Sequence, residues 1–283
     1  ADRCTLRRAG FARSSARQAG AVMAASPVAC QYRVMNENGL ENKVVMVTGA
    51  ARRIGAAIVT RLHTEGARVA IHYRGSAASA TELADRLNAS RPDSAATFQA
   101  DLLRTDDMPR LVEDVVTWGG KLDALVNNAS TFYPTPVGEI TESHWNDLVG
   151  SNFKAPLFLS QAAAPHLEAT RGSIVNLVDI HARRPLRDHP VYGPAKAALA
   201  MLTLSLAKDL APAVRVNGVS PGAILWPEDG MSDAAQASIL QQVPLGRPGE
   251  PGDIAGCVLY LLRDAPYVTG QIIAVDGGRS IGW

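Results

Sequence analysis

A chain of 283 residues, 47% apolar and 19% charged, is long enough to bury one large core and belongs with ordinary globular proteins. Its formal charge is +1, but residues 1–34 hold six arginines, no lysine and one acid, Asp2, so +5 there leaves −4 for the rest, which suits no nucleic-acid partner. No apolar run approaches the ~20 residues needed to cross a bilayer, so a soluble protein of one domain is expected.

The first 35 residues are rich in Arg, Ala and Ser, the composition of an organelle transit peptide. The plainer expectation is a disordered extension over 1–36 without function, with Met23 or Met35 as the true start. Cys4 and Cys30 lie in this stretch and Cys257 in an apolar helical run, so an odd count of three argues against a disulfide framework and for a reducing cytoplasm.

From Lys43 onward, short β-branched runs alternate with longer helical patterns. Strands are expected at 43–48, 67–73, 95–100, 124–129, 172–178 and 214–220, and a last one in "IIAVDGG". Between them the spacing of apolar residues predicts helices at 54–66, 77–90, 107–118, 143–169, 191–210 and 252–263. Residues 223–244 carry Pro227, Gly230 and Pro244 and read as irregular. This alternation implies α/β architecture, one doubly wound parallel sheet with helices on both faces, and strands this apolar are buried on both sides.

Gly49 and Gly55 stand between the first strand and first helix, where a tight turn approaches a pyrophosphate, although the spacing is not the usual three-glycine fingerprint. A cofactor with a free ribose 2′-hydroxyl wants a carboxylate after the second strand, whereas His72, Arg74 and Ser76 occur there. With Arg52 and Arg53 in the glycine turn, these cations and hydroxyls point to a 2′-phosphate and thus to NADPH rather than NADH. Solvated surface charge is the plain alternative for Arg52 and Arg74. Further on, Tyr192 and Lys196 share one helix face, so an ammonium can act on a phenol whose ordinary pKa of about 10 makes it a sluggish acid.

Thr48-Gly49-x-x-x-x-x-Gly55, Asn127-Asn128-Ala129, Asn152, Tyr192-x-x-x-Lys196 and Pro221-Gly222, in this order, resemble the short-chain dehydrogenase/reductase family over about 43–282. The resemblance implies a single Rossmann-type domain over 37–283 with about seven parallel strands. It implies that Tyr192 donates a proton, that Lys196 binds the nicotinamide ribose and lowers the tyrosine's pKa, and that Asn152 holds a relay water. The implied cofactor surface runs from Gly49, Arg52, Arg53, Ile54 and Gly55 through His72, Tyr73, Arg74 and Ser76 to Asp101 and Leu102 beside the adenine. It continues with Asn127, Asn128, Ala129 and Ser130, reaches Tyr192 and Lys196, and closes with Pro221 and Gly222.

Most members of that family carry serine where this chain has Asp179, and a serine hydroxyl donates to a substrate carbonyl. An ionised carboxylate only accepts, which disfavours a ketone and suits a ring with N–H groups or a C=N nitrogen awaiting a proton. Asp179 together with Ser130-Thr131-Phe132-Tyr133-Pro134-Thr135-Pro136 resembles the pteridine reductases more narrowly. That resemblance implies that Phe132 stacks on a pterin opposite the nicotinamide, Ser130 bonds its amino-pyrimidine edge, and Arg53 bridges cofactor phosphate and pterin. Asp179 as a structural cap or ion-pair partner, and Phe132 as mere loop packing, are the alternatives.

The expected activity is reduction of a dihydropterin or dihydrofolate to its tetrahydro form, with Leu225 and Trp226 of a lid at 223–244 as pocket walls. A carbonyl reductase acting on a 3-oxoacyl thioester, ketone or sugar, and a non-catalytic NADPH-binding protein, stay open. His181 and His189 flank Asp179, but no further ligand cluster exists, so no metal is expected. A cytoplasmic homotetramer is what the resemblance implies, with the tail "RSIGW" within reach of a neighbouring subunit's site.

Overall fold

The computed structural model describes residues 39–226 and 230–282, so the extension expected over 1–36, with Cys4, Cys30, Met23 and Met35, lies outside the described residues. Strands β1 (Val44–Val47), β2 (Arg68–Tyr73), β3 (Ala95–Gln99), β4 (Ala124–Asn127), β5 (Ser173–Leu177), β6 (Arg215–Pro221) and β7 (Ile272–Val275) form one sheet. Every pairing is parallel and the order is β3-β2-β1-β4-β5-β6-β7.

The two-residue period of an extended chain sorts the strand side chains between two cores. Val45, Val47, Val126 and Val175 face one side, where α1 (Arg53–Thr64), α2 (Ala77–Ser90) and α8 (Pro251–Leu259) cover them with Ile58, Leu83 and Val258. Val44, Met46, Leu125 and Ile174 face the other, against Leu111 of α3 (Met108–Gly119) and Leu159 of α5 (Ala155–Thr170). Each such side chain, fully withdrawn from water, contributes about 1.5–3 kcal/mol. β3 and β7, at the two sheet edges, are the strands whose residues stay mostly half-exposed.

Three expectations fail for local reasons. The helix expected over 143–169 is α4 (Glu142–Val149), a π-helical turn (Gly150–Lys154) and α5. Pro156 has no N–H for the turn before it, and the Ser151 hydroxyl donates to the Asp147 carbonyl (2.7 Å). The irregular segment 223–244 holds a helix, α7 (Asp233–Leu240), which Ser232 caps by accepting from the Ala235 amide (3.3 Å). The last helix ends at Leu259 and passes into a π-helical turn (Tyr260–Asp264). By contrast α6 (Tyr192–Asp209) covers the expected 191–210 closely. No helix among the described residues is long and apolar enough to cross a membrane.

Candidate active site

The sheet order reverses direction between β1 and β4, and crossovers leaving that point on opposite sides open a crevice above the strand ends. A cavity of about 490 Å³ lies there, with Gly49, Arg52, Arg53, Ile54 and Gly55 on one wall. Tyr73, Arg74 and Ser76 after β2, Asp101 and Leu102 after β3, and Asn128, Ala129 and Ser130 after β4 complete it. Gly49 adopts φ +59°, and a Cβ there would stand 2.9 Å from the Ala129 backbone, so the turn needs glycine twice over. Thr48 joins the two strand ends: its Oγ1 accepts from the Asn128 and Ala129 amides (both 2.9 Å), and the Asn128 side chain donates back to the Thr48 carbonyl (2.8 Å).

His72 lines this cavity but is not the cation expected. Its Nδ1 accepts from the Gly49 amide (3.2 Å) and its Nε2 faces the Ala100 carbonyl (3.2 Å), so the ring is a neutral strut joining the glycine turn, β2 and the end of β3. Burial pulls its pKa from 6.5 down to about 4, outweighing the Ala100 carbonyl and Asp101. Arg74 and Ser76 remain beside the crevice as expected.

The cavity ends at Ser130, and from there hydrogen bonds carry the site onward. Asn152, fully buried in the π-helical turn, donates to the Thr131 and Leu148 carbonyls (2.9 Å each), which fixes its amide. Its Oδ1 then takes the proton of the Ser130 hydroxyl (2.6 Å). Asn152 was expected to hold a relay water; its side chain is engaged by these neighbours and reaches the site through Ser130. Ser130 also stands within hydrogen-bond reach of Tyr192, where its hydroxyl works against the rise in the phenol's pKa.

Asp179 stands at the end of β5. Its Oδ1 accepts from the His181 amide (2.8 Å), capping a 3₁₀ turn over Ile180–Ala182 that the sequence did not announce, while Oδ2 accepts from the Tyr192 hydroxyl (2.7 Å). Cap and site residue are therefore one carboxylate. Tyr192 begins α6 and is 3% exposed; burial first, then the charge and hydrogen bond of Asp179, hold its phenol well above the usual 10. The lowering expected from Lys196 does not prevail. Lys196 donates to the Leu177 carbonyl (2.9 Å), and burial brings its own pKa from 10.5 down to about 8 against the pull of Asp179.

Phe132 meets the Tyr192 ring edge-on (centroids 4.8 Å) and is 52% exposed, but one of its faces already stacks on His189 (4.7 Å, 16°). Trp226 accepts a hydrogen bond at its carbonyl from the Arg53 guanidinium (3.3 Å), which ties the segment after β6 to the glycine turn, while Leu225 is exposed. Pro221 and Gly222 sit at the end of β6 against Asp276 rather than on the cavity wall. Sequence reasoning missed Leu103, Thr131 and Ser151, which line the crevice, and Arg279, whose charge acts on Asp179 from the C-terminal segment. The step after Asp101-Leu102 signalled Leu103; nothing in the sequence pairs Thr131 with Ser151, whose hydroxyls lie 2.6 Å apart. Among the described residues no three His, Cys, Asp or Glu side chains converge to hold a metal.

Chemically, this is a buried phenol that keeps its proton at neutral pH, beside an acceptor, a cation and an aromatic shelf, at the end of a cleft edged with arginine. A model of the family described as enoyl-(acyl carrier protein) reductase matches residues 49–280. The chain is 42% identical over 279 residues to pteridine reductase 1 of Leishmania tarentolae, covering 84% of this chain and 96% of that protein. It is 36% identical over 240 residues to a 3-oxoacyl-acyl-carrier-protein reductase of Staphylococcus aureus, covering 83% and 97%. An uncharacterized oxidoreductase of Methylorubrum extorquens is 38% identical over 245 residues, covering 84% and 98%.

Proposed function

Because the chain belongs to the short-chain dehydrogenase/reductase family and is therefore an oxidoreductase, we propose that it reduces a dihydropterin or dihydrofolate to the tetrahydro form with NADPH. The observation that carries this reading is the 2.7 Å bond from Tyr192 to Asp179, which sets a carboxylate beside the phenol. The substrate end of the cleft offers acceptors where a carbonyl oxygen would need donors, and an amino-pyrimidine ring supplies donors to match. The 42% identity to a pteridine reductase supports the same substrate class.

NADPH fits the crevice by charge and shape: Arg52, Arg53, Arg74 and Ser76 would hold its phosphates, Asp101 and Leu102 its adenine, and Asn128 and Ala129 its underside. When bound it supplies the hydride. The rest of the work falls to this chain. Phe132 holds the flat ring against the cofactor by stacking once His189 yields that face, or by its opposite face. Tyr192 keeps a proton ready at Oη for a ring nitrogen, Asp179 receives ring N–H groups, and the Lys196 ammonium steadies the charge that remains. Arg53, bonded to Trp226, closes the lid segment over the cofactor. Exposed Phe158, Met201 and Leu204 on the outer faces of α5 and α6 support the homotetramer.

One specific observation favours a second reading, reduction of a 3-oxoacyl thioester: the 36% identity to a 3-oxoacyl-acyl-carrier-protein reductase. Steady-state NADPH oxidation by the purified protein separates the two. Turnover of a 7,8-dihydropterin well above that of an acetoacetyl thioester is the expected result; the reverse order refutes the pterin assignment.

A further inference from the structure

Three arginines crowd a second cavity, of about 690 Å³, that borders the 3₁₀ turn capped by Asp179. Arg183 and Arg184 come from the segment after that turn and Arg279 from the C-terminal segment, with His181, Gln242 and Ser280 beside them. None of the described lining residues is acidic. The Arg184 guanidinium donates to the Gly282 carbonyl (2.9 Å), which fastens the two segments together and forms the wall. Arg183 is exposed, and the sequence offers no reason for a run of cations at this point.

Two carboxylates do face Arg279, and both are already engaged. Asp276 accepts from the Gly278 (2.9 Å) and Ser280 (2.7 Å) amides, and Asp179 from Tyr192 and His181. Both support the Arg279 charge against the effect of burial. Three arginines on one cavity, with no acidic residue among the described lining, make a basic pocket that a bound anion can pair with. The bidentate geometry of guanidinium suits carboxylate and phosphate oxygens equally.

We propose that this cavity binds an anionic group, carboxylate or phosphate, carried on the tail of the substrate whose reacting group lies at Tyr192. The proposal rests on the reading that Asp179 and Tyr192 face the substrate, and it deepens it: the protein selects acidic-tailed substrates over neutral-tailed ones. A carboxylate source would be a folate-type tail, and a phosphate source the pantetheine nucleotide of a thioester.

The test measures KM for dihydrofolate, acetoacetyl-coenzyme A and neutral-tailed dihydrobiopterin with the wild type, Arg183→Ser and Arg183→Glu. Arg183 is exposed, so both variants are expected to fold, and circular dichroism checks this. Loss of one charge-assisted contact corresponds to a rise in KM of about tenfold. That rise should appear for dihydrofolate or acetoacetyl-coenzyme A, be larger in Arg183→Glu, and be absent for dihydrobiopterin. Which of the two anionic substrates responds identifies the source. Equal changes for all three substrates, or none for any, overturn the proposal. If no dihydropterin is turned over, the pterin reading fails separately, and calorimetric titration with p-aminobenzoylglutamate and inorganic phosphate decides the subsite. Binding to the wild type that weakens at least tenfold in Arg183→Glu upholds it, and wild type binding neither probe overturns it.

Discussion

At position 179 a single carboxylate closes a turn through one oxygen and accepts the Tyr192 hydroxyl's hydrogen bond through the other. Serine can also cap such a turn, so Asp179→Ser should fold, with a melting temperature near that of the parent. It cannot replace an acceptor that also carries charge, and dihydropterin turnover should fall about 100-fold. Unchanged turnover in that variant would remove Asp179 from the mechanism. Lys196 sets a second expectation. Its pKa of about 8 lies below the ordinary 10.5, so the ammonium is present below that value and lost as pH rises through it. The pH profile of kcat/KM, which reports free-enzyme groups, should therefore decline above pH about 8, and Lys196→Arg should erase that decline. A profile that stays level well above pH 8 contradicts this. Tyr192, Lys196 and Asp179 were legible from spacing and residue type; the direction of the tyrosine's shift was not, because it depends on how deeply α6 buries the ring.

Among the elements, β2 shows how a correct location can hide a different role. The sequence places His72 beside the glycine turn, and it is there, but its ring bridges two backbone groups that no sequence pattern pairs. Its folded pKa of about 4 lies below the unfolded 6.5, so its contribution to stability is complete above pH 6.5 and is lost as pH falls toward 4. The drop of about 2.5 units corresponds to about 3 kcal/mol. Urea unfolding of the wild type across that window should show the loss, and His72→Asn should flatten it; identical acid dependence of both proteins would rule the strut out. The π-helical turn at Gly150–Lys154 was likewise hidden. The apolar spacing of residues 143–169 is continuous, and neither Pro156, next to the turn, nor Pro165, inside α5, marks a π-helical turn by its residue type.

For the molecule as a whole, the fold was legible because strands buried on both faces must be apolar and parallel neighbours need helical crossovers. What alternation cannot carry is contact between distant segments: the Arg184 bond to Gly282, and the nearness of Arg279 to Asp179, arise only when the sheet seats β5 and β7 on either side of β6, so that the segments leaving their C-terminal ends meet. The first residue of α1 has a wider consequence. Arg53 holds φ at +54°, a conformation that favours glycine, yet its guanidinium lines the crevice and reaches Trp226. Arg53→Gly should leave the unliganded protein melting at or above the wild-type temperature, while the extra stability that NADPH confers shrinks. A lower unliganded melting temperature would show that the residue is not strained. If Arg53 holds the cofactor as proposed, its left-handed backbone is a cost in the resting chain that ligand binding offsets.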